Sequence, residues 1–130
     1  MESIKSQELF LRDLPFAPSQ LRYATDRALK RQDSLAASLA NYLGRHLTDN
    51  KEYAQAEPYL VQALSIRQNL LGEHMDTAVS LTSMGTLLWQ WKSNTAAMPY
   101  FEEAHQICER LLGPDHPKTA RSLNNLATLT

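Results

Sequence analysis

Four glycines constrain the chain more than any other feature. Gly44 and Gly85 lie 41 residues apart, and so do Gly72 and Gly113, and the chain has no other glycine. At the same offset Leu47 matches Leu88, Lys51 matches Lys92, Ala56 matches Ala97, and Pro58-Tyr59 matches Pro99-Tyr100. Ala63 then matches Ala104, Ile66 matches Ile107, and Leu70-Leu71-Gly72 matches Leu111-Leu112-Gly113. So many coincidences mark a duplication. A period of roughly 20 to 50 residues belongs to repeat arrays, whose units bury their apolar sides against one another. A third, partial copy follows at an offset of 42, where Ser122-Leu123 answers Ser80-Leu81. The stretch Ser122 to Thr130 supplies the first helix of a repeat whose second helix is absent. The sequence therefore reads as a fragment, or as an array whose open end something else covers.

Each unit should be helical. Leu and Ala dominate the composition, whereas Val occurs only at positions 61 and 79, a balance that favours helix over strand. Ala56, Leu60, Ala63, Leu64, Leu70 and Leu71 recur at helical spacing. Ala97, Phe101, Ala104, Ile107, Cys108, Leu111 and Leu112 repeat that face. The first helices carry it through Leu39, Leu43 and Leu47, then Leu81, Met84 and Leu88, then Leu123 and Leu126. Asp49 or Asn50, Asp76, Ser93 and Asp115 or His116 stand where N-caps are expected, and Pro117 suits a first turn. Gly72 and Gly113 stand where helices should stop in a left-handed cap. The pattern predicts helices at about 33–48, 52–71, 76–91, 94–112 and 117–129, with another at about 19–31. Pro58 and Pro99 fall inside second helices, each of which they should bend at the same register.

Charge and cysteine content narrow the function. Lys plus Arg number 13 against 14 Asp plus Glu, so no basic excess is available for a phosphate backbone, and nucleic acid is not an expected partner. Acidic residues at Glu2 and Glu8 interrupt the window a signal peptide would need, and no apolar run reaches 18 residues, so no membrane partner is expected. The one cysteine, Cys108, cannot form an internal disulfide and suits a reducing, cytoplasmic setting.

At residues 112–127 the order Leu-Gly-Pro-Asp-His-Pro-Lys-Thr-Ala-Arg-Ser-Leu-Asn-Asn-Leu-Ala resembles the junction of tetratricopeptide repeats of the roughly 42-residue kinesin light chain type, seen also in repeat arms of signalling ATPases. Tyr53 to Tyr59 with Ala63-Leu64 resembles the second helix of the same repeat, and the likeness spans residues 34–130. Two departures stand out. The first junction, Leu71-Gly72-Glu73-His74-Met75-Asp76, is one residue short with Met75 in place of proline, and Thr82-Ser83 replaces the paired asparagines. The resemblance implies an all-α, right-handed superhelical solenoid of antiparallel helix pairs. It also implies a concave groove in which asparagines bond a peptide's main chain, a role that passes to Asn124 and Asn125 and more loosely to Asn41.

Register from Gly44 and Gly85 places Asn41, Tyr42, Arg45, Thr48 and Asp49 on the groove side of one first helix. Val79, Thr82, Ser83, Thr86, Trp89 and Gln90 take that side in the next. Tyr42 and Trp89 are the aromatic anchors, although Trp89 could equally close a gap between helices. Trp91 should point elsewhere, into packing. His105 and Cys108 share a helical face but lack the further ligands a structural metal needs, so neither metal nor cofactor is expected. No phosphate-binding loop, nucleophile elbow or His-Glu-x-x-His motif occurs, and Glu102-Glu103 diverge around their helix. The stripe Arg22, Arg27, Lys30 and Arg31 is broken by Asp26 and Asp33.

The expected organisation is an N-terminal strap over 1–17, a degenerate leading helix over 18–32, complete repeats over 33–73 and 74–115, and the first helix of a third over 116–130. The expected function is non-enzymatic binding of a protein or peptide. Two alternatives are self-assembly through Leu123, Leu126 and Leu129 of an exposed last helix, giving a homo-oligomer, and service as the repeat arm of a larger ATPase.

Overall fold

A computed structural model describes residues 18–129, so the strap expected over 1–17 lies outside the described residues. Every regular element among those residues is an α-helix: α1 (Pro18–Leu29), α2 (Ser34–Asp49), α3 (Tyr53–Leu71), α4 (Met75–Trp91), α5 (Asn94–Leu112) and α6 (Pro117–Thr128). All fall within two or three residues of the spans read from the repeat. The chain divides into two compact units that meet at Leu70 and Leu71.

In the first unit α1 packs on α2 and α2 on α3. Asp33 starts α2 by accepting the Ala36 N–H at 2.9 Å. That bond is the main reason its carboxyl titrates below the ordinary range, with the neighbouring Arg31 guanidinium helping. The apolar face of α2 is built from small residues and leucines: Ala36, Ala40, Leu43 and Leu47 are buried. Gly44 lets α3 come close, for a Cβ there would stand 2.4 Å from Leu60 Cδ2. Because Gly44 lies late in α2 and Leu60 early in α3, the pair is antiparallel. Asn50, expected to cap the start of a helix, closes the end of α2, where Lys51 adopts φ 64° and Glu52 N–H reaches the Leu47 carbonyl at 2.8 Å. The six residues 47–52 are thereby wrapped into the usual left-handed helix stop, here without glycine. Across the unit, the Tyr59 hydroxyl donates to Asp26 of α1 at 2.8 Å, and Arg22 bonds Gln55.

The second unit repeats the pairing and adds a helix. Here Gly85 of α4 meets the Phe101 ring of α5, whose Cζ would lie 2.9 Å from an added Cβ. The N-cap of α4 is His74, not Asp76: its Nδ1 accepts the Asp76 N–H at 3.0 Å, while Asp76 sits in the first turn near the positive helix end. His116 does the same for α6, taking the Lys118 N–H at 3.1 Å, with Pro117 in the first turn. Ser93 caps α5 through the Ala96 N–H. At the end of α5, Gly113 has φ 85° and ψ 164°, a positive-φ extended state instead of the expected left-handed helical cap, and one that L side chains enter rarely. Helices α3 and α5 run unbroken through Pro58 and Pro99.

Two residues assigned to the apolar faces of the second helices are exposed. Leu70 and Leu111, repeat equivalents, lie in the last turns of 19-residue helices. The end of α6 also differs from expectation. Leu123 is exposed and Leu126 half-buried, but Leu129 is buried, and its carbonyl accepts from Asn94 at 3.3 Å. Self-association through all three leucines therefore has one of them already engaged.

Candidate functional site: the open stripe of the first helices

Helix α4 is enclosed almost all round. From Thr77 to Leu88 only Val79, Thr82 and Thr86 are half-buried, and the stripe continues into exposed Trp89 and Gln90. These positions follow the helical repeat and form one line along the helix. Their polarity is organised by the backbone. Thr82 donates to the Ala78 carbonyl and Thr86 to the Thr82 carbonyl, both at 2.9 Å. Each hydroxyl proton is thus used within the helix, and the oxygen lone pairs are left as acceptors. Ser83 bonds the Val79 carbonyl in the same way but is buried. At the end of the stripe the Trp89 indole is 44% exposed, a large apolar surface with one N–H donor. Trp91 instead lies half-buried under Lys92, whose ammonium stands 4.0 Å from the ring centroid.

On α6 the same register is open. Asn124 is exposed and Asn125 half-buried. Thr128 donates to the Asn124 carbonyl at 2.9 Å, repeating the Thr86 bond one unit on. Thr128 was missed in the sequence, although it stands 42 residues after Thr86, the offset of the third copy. On α2 the open positions are Tyr42, Arg45, His46 and Asp49. Asn41 is fully buried and Thr48 nearly so, its hydroxyl bonded to the Gly44 carbonyl at 2.8 Å. Both side chains serve packing here, because no atom of Asn41 reaches solvent.

The seam between α5 and α6 brings Ser122, His105 and Glu109 within reach of one another. His105 Nδ1 lies 2.8 Å from Ser122 Oγ, and Nε2 lies 3.2 Å from Glu109 Oε2. The order resembles a nucleophile, a base and an orienting acid, but the serine proton is directed elsewhere. Ser122 donates its hydroxyl to the Thr119 carbonyl at 2.7 Å, which turns that proton away from the imidazole. Thr119 also bonds the Cys108 carbonyl. This network fastens α6 to α5. Cys108 itself is buried, and burial raises its thiol pKa, as for a small apolar side chain. Among the described residues no three His, Cys, Asp or Glu side chains gather as metal ligands would, and no helix is long and apolar enough to cross a membrane.

Antiparallel helical pairs, a small residue at each crossing and a polar stripe recurring with the repeat define a helical-repeat protein. A tetratricopeptide repeat model matches residues 35–105 and 92–130, and the chain belongs to that family. Repeats of this family generally serve as protein–protein interaction modules, and no catalytic family matches. No curated protein matches the chain significantly.

Proposed function

We propose that the chain is a non-enzymatic binding module that holds a peptide segment of a partner protein along the open stripe of its first helices. Thr82, Thr86, Trp89 and Gln90 on α4 and Asn124 and Asn125 on α6 make the contacts. The observation carrying this reading is the burial pattern of α4: a helix enclosed on its other sides keeps an aligned row of acceptors ending in an exposed tryptophan. Aromatic anchors of this kind dominate the energetics of protein interfaces. The His-Pro junction before α6 and the 42-residue offset favour the kinesin light chain type of repeat, and the single reduced thiol favours the cytoplasm.

The test is a selection of peptides from a random display library on the intact chain, followed by titration against variants. Trp89→Ala should weaken the selected peptides by at least about tenfold, and Asn124→Ala or Asn125→Ala by a smaller factor. Undiminished affinity in all three, with helical circular dichroism intact, would remove the stripe as the binding site.

A further inference from the structure

Helix α1 lies outside the residues matched to the repeat family, and its outward face concentrates positive charge. Arg22, Arg27, Lys30 and Arg31 fall within one short stretch of a chain whose formal charge is −1. Leu21, Thr25, Ala28 and Leu29 are buried, while Arg22, Tyr23, Asp26, Arg27 and Lys30 take the opposite, exposed side. Tyr23, Arg27 and Lys30 follow at spacings of four and three residues, which sets them in one row. The two acids that interrupt the stripe in sequence are engaged elsewhere. Asp26 accepts the Tyr59 hydroxyl of α3 at 2.8 Å, and Asp33 caps α2 and pairs with Arg31. Arg22 bonds the neutral Gln55 amide, and among the described residues neither Arg22, Arg27 nor Lys30 forms an ion pair. The Arg27 guanidinium stands 5.7 Å from the Tyr23 ring centroid and donates to its hydroxyl at 3.1 Å. A neutral ring thus positions this cation without cancelling its charge, and its other N–H groups keep a fork suited to a carboxylate.

We propose that this face of α1 docks an acidic peptide segment of a partner protein, distinct from the segment held on the stripe of α4 and α6. Carboxylates of the segment meet Arg27 and Lys30, and an apolar side chain beside them lies on Tyr23, which is 64% exposed. Charge complementarity selects the class of occupant. Arg22, Arg27 and Lys30, with Asp26 at their flank, fall short of the roughly four to eight basic residues that hold a protein on anionic lipid. The chain as a whole has no basic excess for a nucleic-acid backbone. A short acidic segment needs only the few cations present, and the exposed ring supplies the apolar contact that a bare phosphate surface would leave unused.

The probe is a fluorescein-labelled peptide of repeated Glu-Asp-Leu, titrated against the full chain by fluorescence anisotropy at low salt. Saturable binding is expected, weakened at least about fivefold by Arg27→Glu and by Lys30→Glu, and by a smaller factor in Tyr23→Ala. It should vanish at about 1 M salt, where charges are screened within about 3 Å. All three residues are exposed, so the fold survives their substitution, which circular dichroism verifies. Arg121→Glu, at an exposed position of α6, changes the net charge equally and should leave binding intact. The proposal is overturned by no saturation at millimolar peptide, by binding that ignores Arg27→Glu and Lys30→Glu, or by an equal loss in Arg121→Glu, which would reduce the effect to bulk charge. Preferential binding of phosphatidylserine vesicles or of an RNA oligonucleotide, lost in Arg27→Glu, would likewise overturn it and give the face to phosphate.

Discussion

The pairs α2–α3 and α4–α5 solve the same crossing with different plugs. In the first, an added Cβ at Gly44 would stand 2.5 Å from Leu60 Cγ as well as 2.4 Å from Cδ2, so the body of the side chain lies against the glycine. In the second, Gly85 faces the tip of the Phe101 ring, with 2.9 Å to Cζ and 3.0 Å to both Cε atoms. A branched plug brings the helices near and leaves nothing to yield. A longer, flat one fills the same space from further off. Equivalence in a repeat therefore fixes the position of a contact, while the side chain sets how tightly it is made.

Truncating the plugs tests this most severely. Phe101→Ala should cost about 3–5 kcal/mol and Leu60→Ala about 2–4, read from guanidinium unfolding, because both side chains are buried and leave cavities. Equal and small losses would mean that the crossings collapse freely and the glycines are incidental. Next comes filling the slots. Gly44→Ala should cost about 2 kcal/mol and Gly85→Ala about 1, the overpacking being partly offset by roughly 1 kcal/mol of helix propensity. In a Leu60→Ala background the Gly44→Ala substitution should become neutral or stabilising. If its cost persisted there, the close approach would not be the cause.

The two histidine caps offer a milder comparison. His74→Ala and His116→Ala should each cost about 1 kcal/mol, with Ser at either position restoring most of it. The cap residues are thereby separated from the proline that only one junction has. Smaller still is the tyrosine that ties α1 to α3. Burial first, and the Asp26 hydrogen bond second, push the Tyr59 phenol up from its ordinary 10.0 to about 12. A phenol raised on folding adds stability that is complete below its unfolded value and disappears as pH rises through the folded one. The chain should accordingly lose stability between about pH 10 and 12, and Tyr59→Phe should flatten that stretch of the profile. At the low end of the scale, Lys51→Gly should gain about 0.5–1 kcal/mol by relieving φ 64°, whereas Lys92→Gly, at the same repeat position but with φ −112°, should lose a similar amount.

Helix positions were legible because the 41-residue offset aligned glycines, prolines and leucines at once, and each carries a backbone or packing requirement. The stops and starts were less so. Lys51 and Lys92 are equivalent in sequence, and the residue after each reaches back to the equivalent carbonyl, Leu47 or Leu88, yet only Lys51 turns left-handed; its own N–H bonds Thr48, three residues back, whereas that of Lys92 bonds Leu88, four back. Histidine as an N-cap went unread at position 74 because Asp76 has the stronger intrinsic preference, although the imidazole stands one residue before the helix and Asp76 does not. The open stripe was half legible. Thr82, Thr86 and Trp89 followed from register, but Asn41 shares that register and is buried, because solvent access depends on neighbours that periodicity does not report.

The enclosed thiol of Cys108 has a practical consequence. It is the chain's sole cysteine, and its own carbonyl is held by Thr119 of α6. Alkylation must then await excursions that uncover the thiol, among them any in which that helix lifts away. The rate of labelling by a slow, uncharged reagent would thus act as a built-in clock for how often this part of the fold opens.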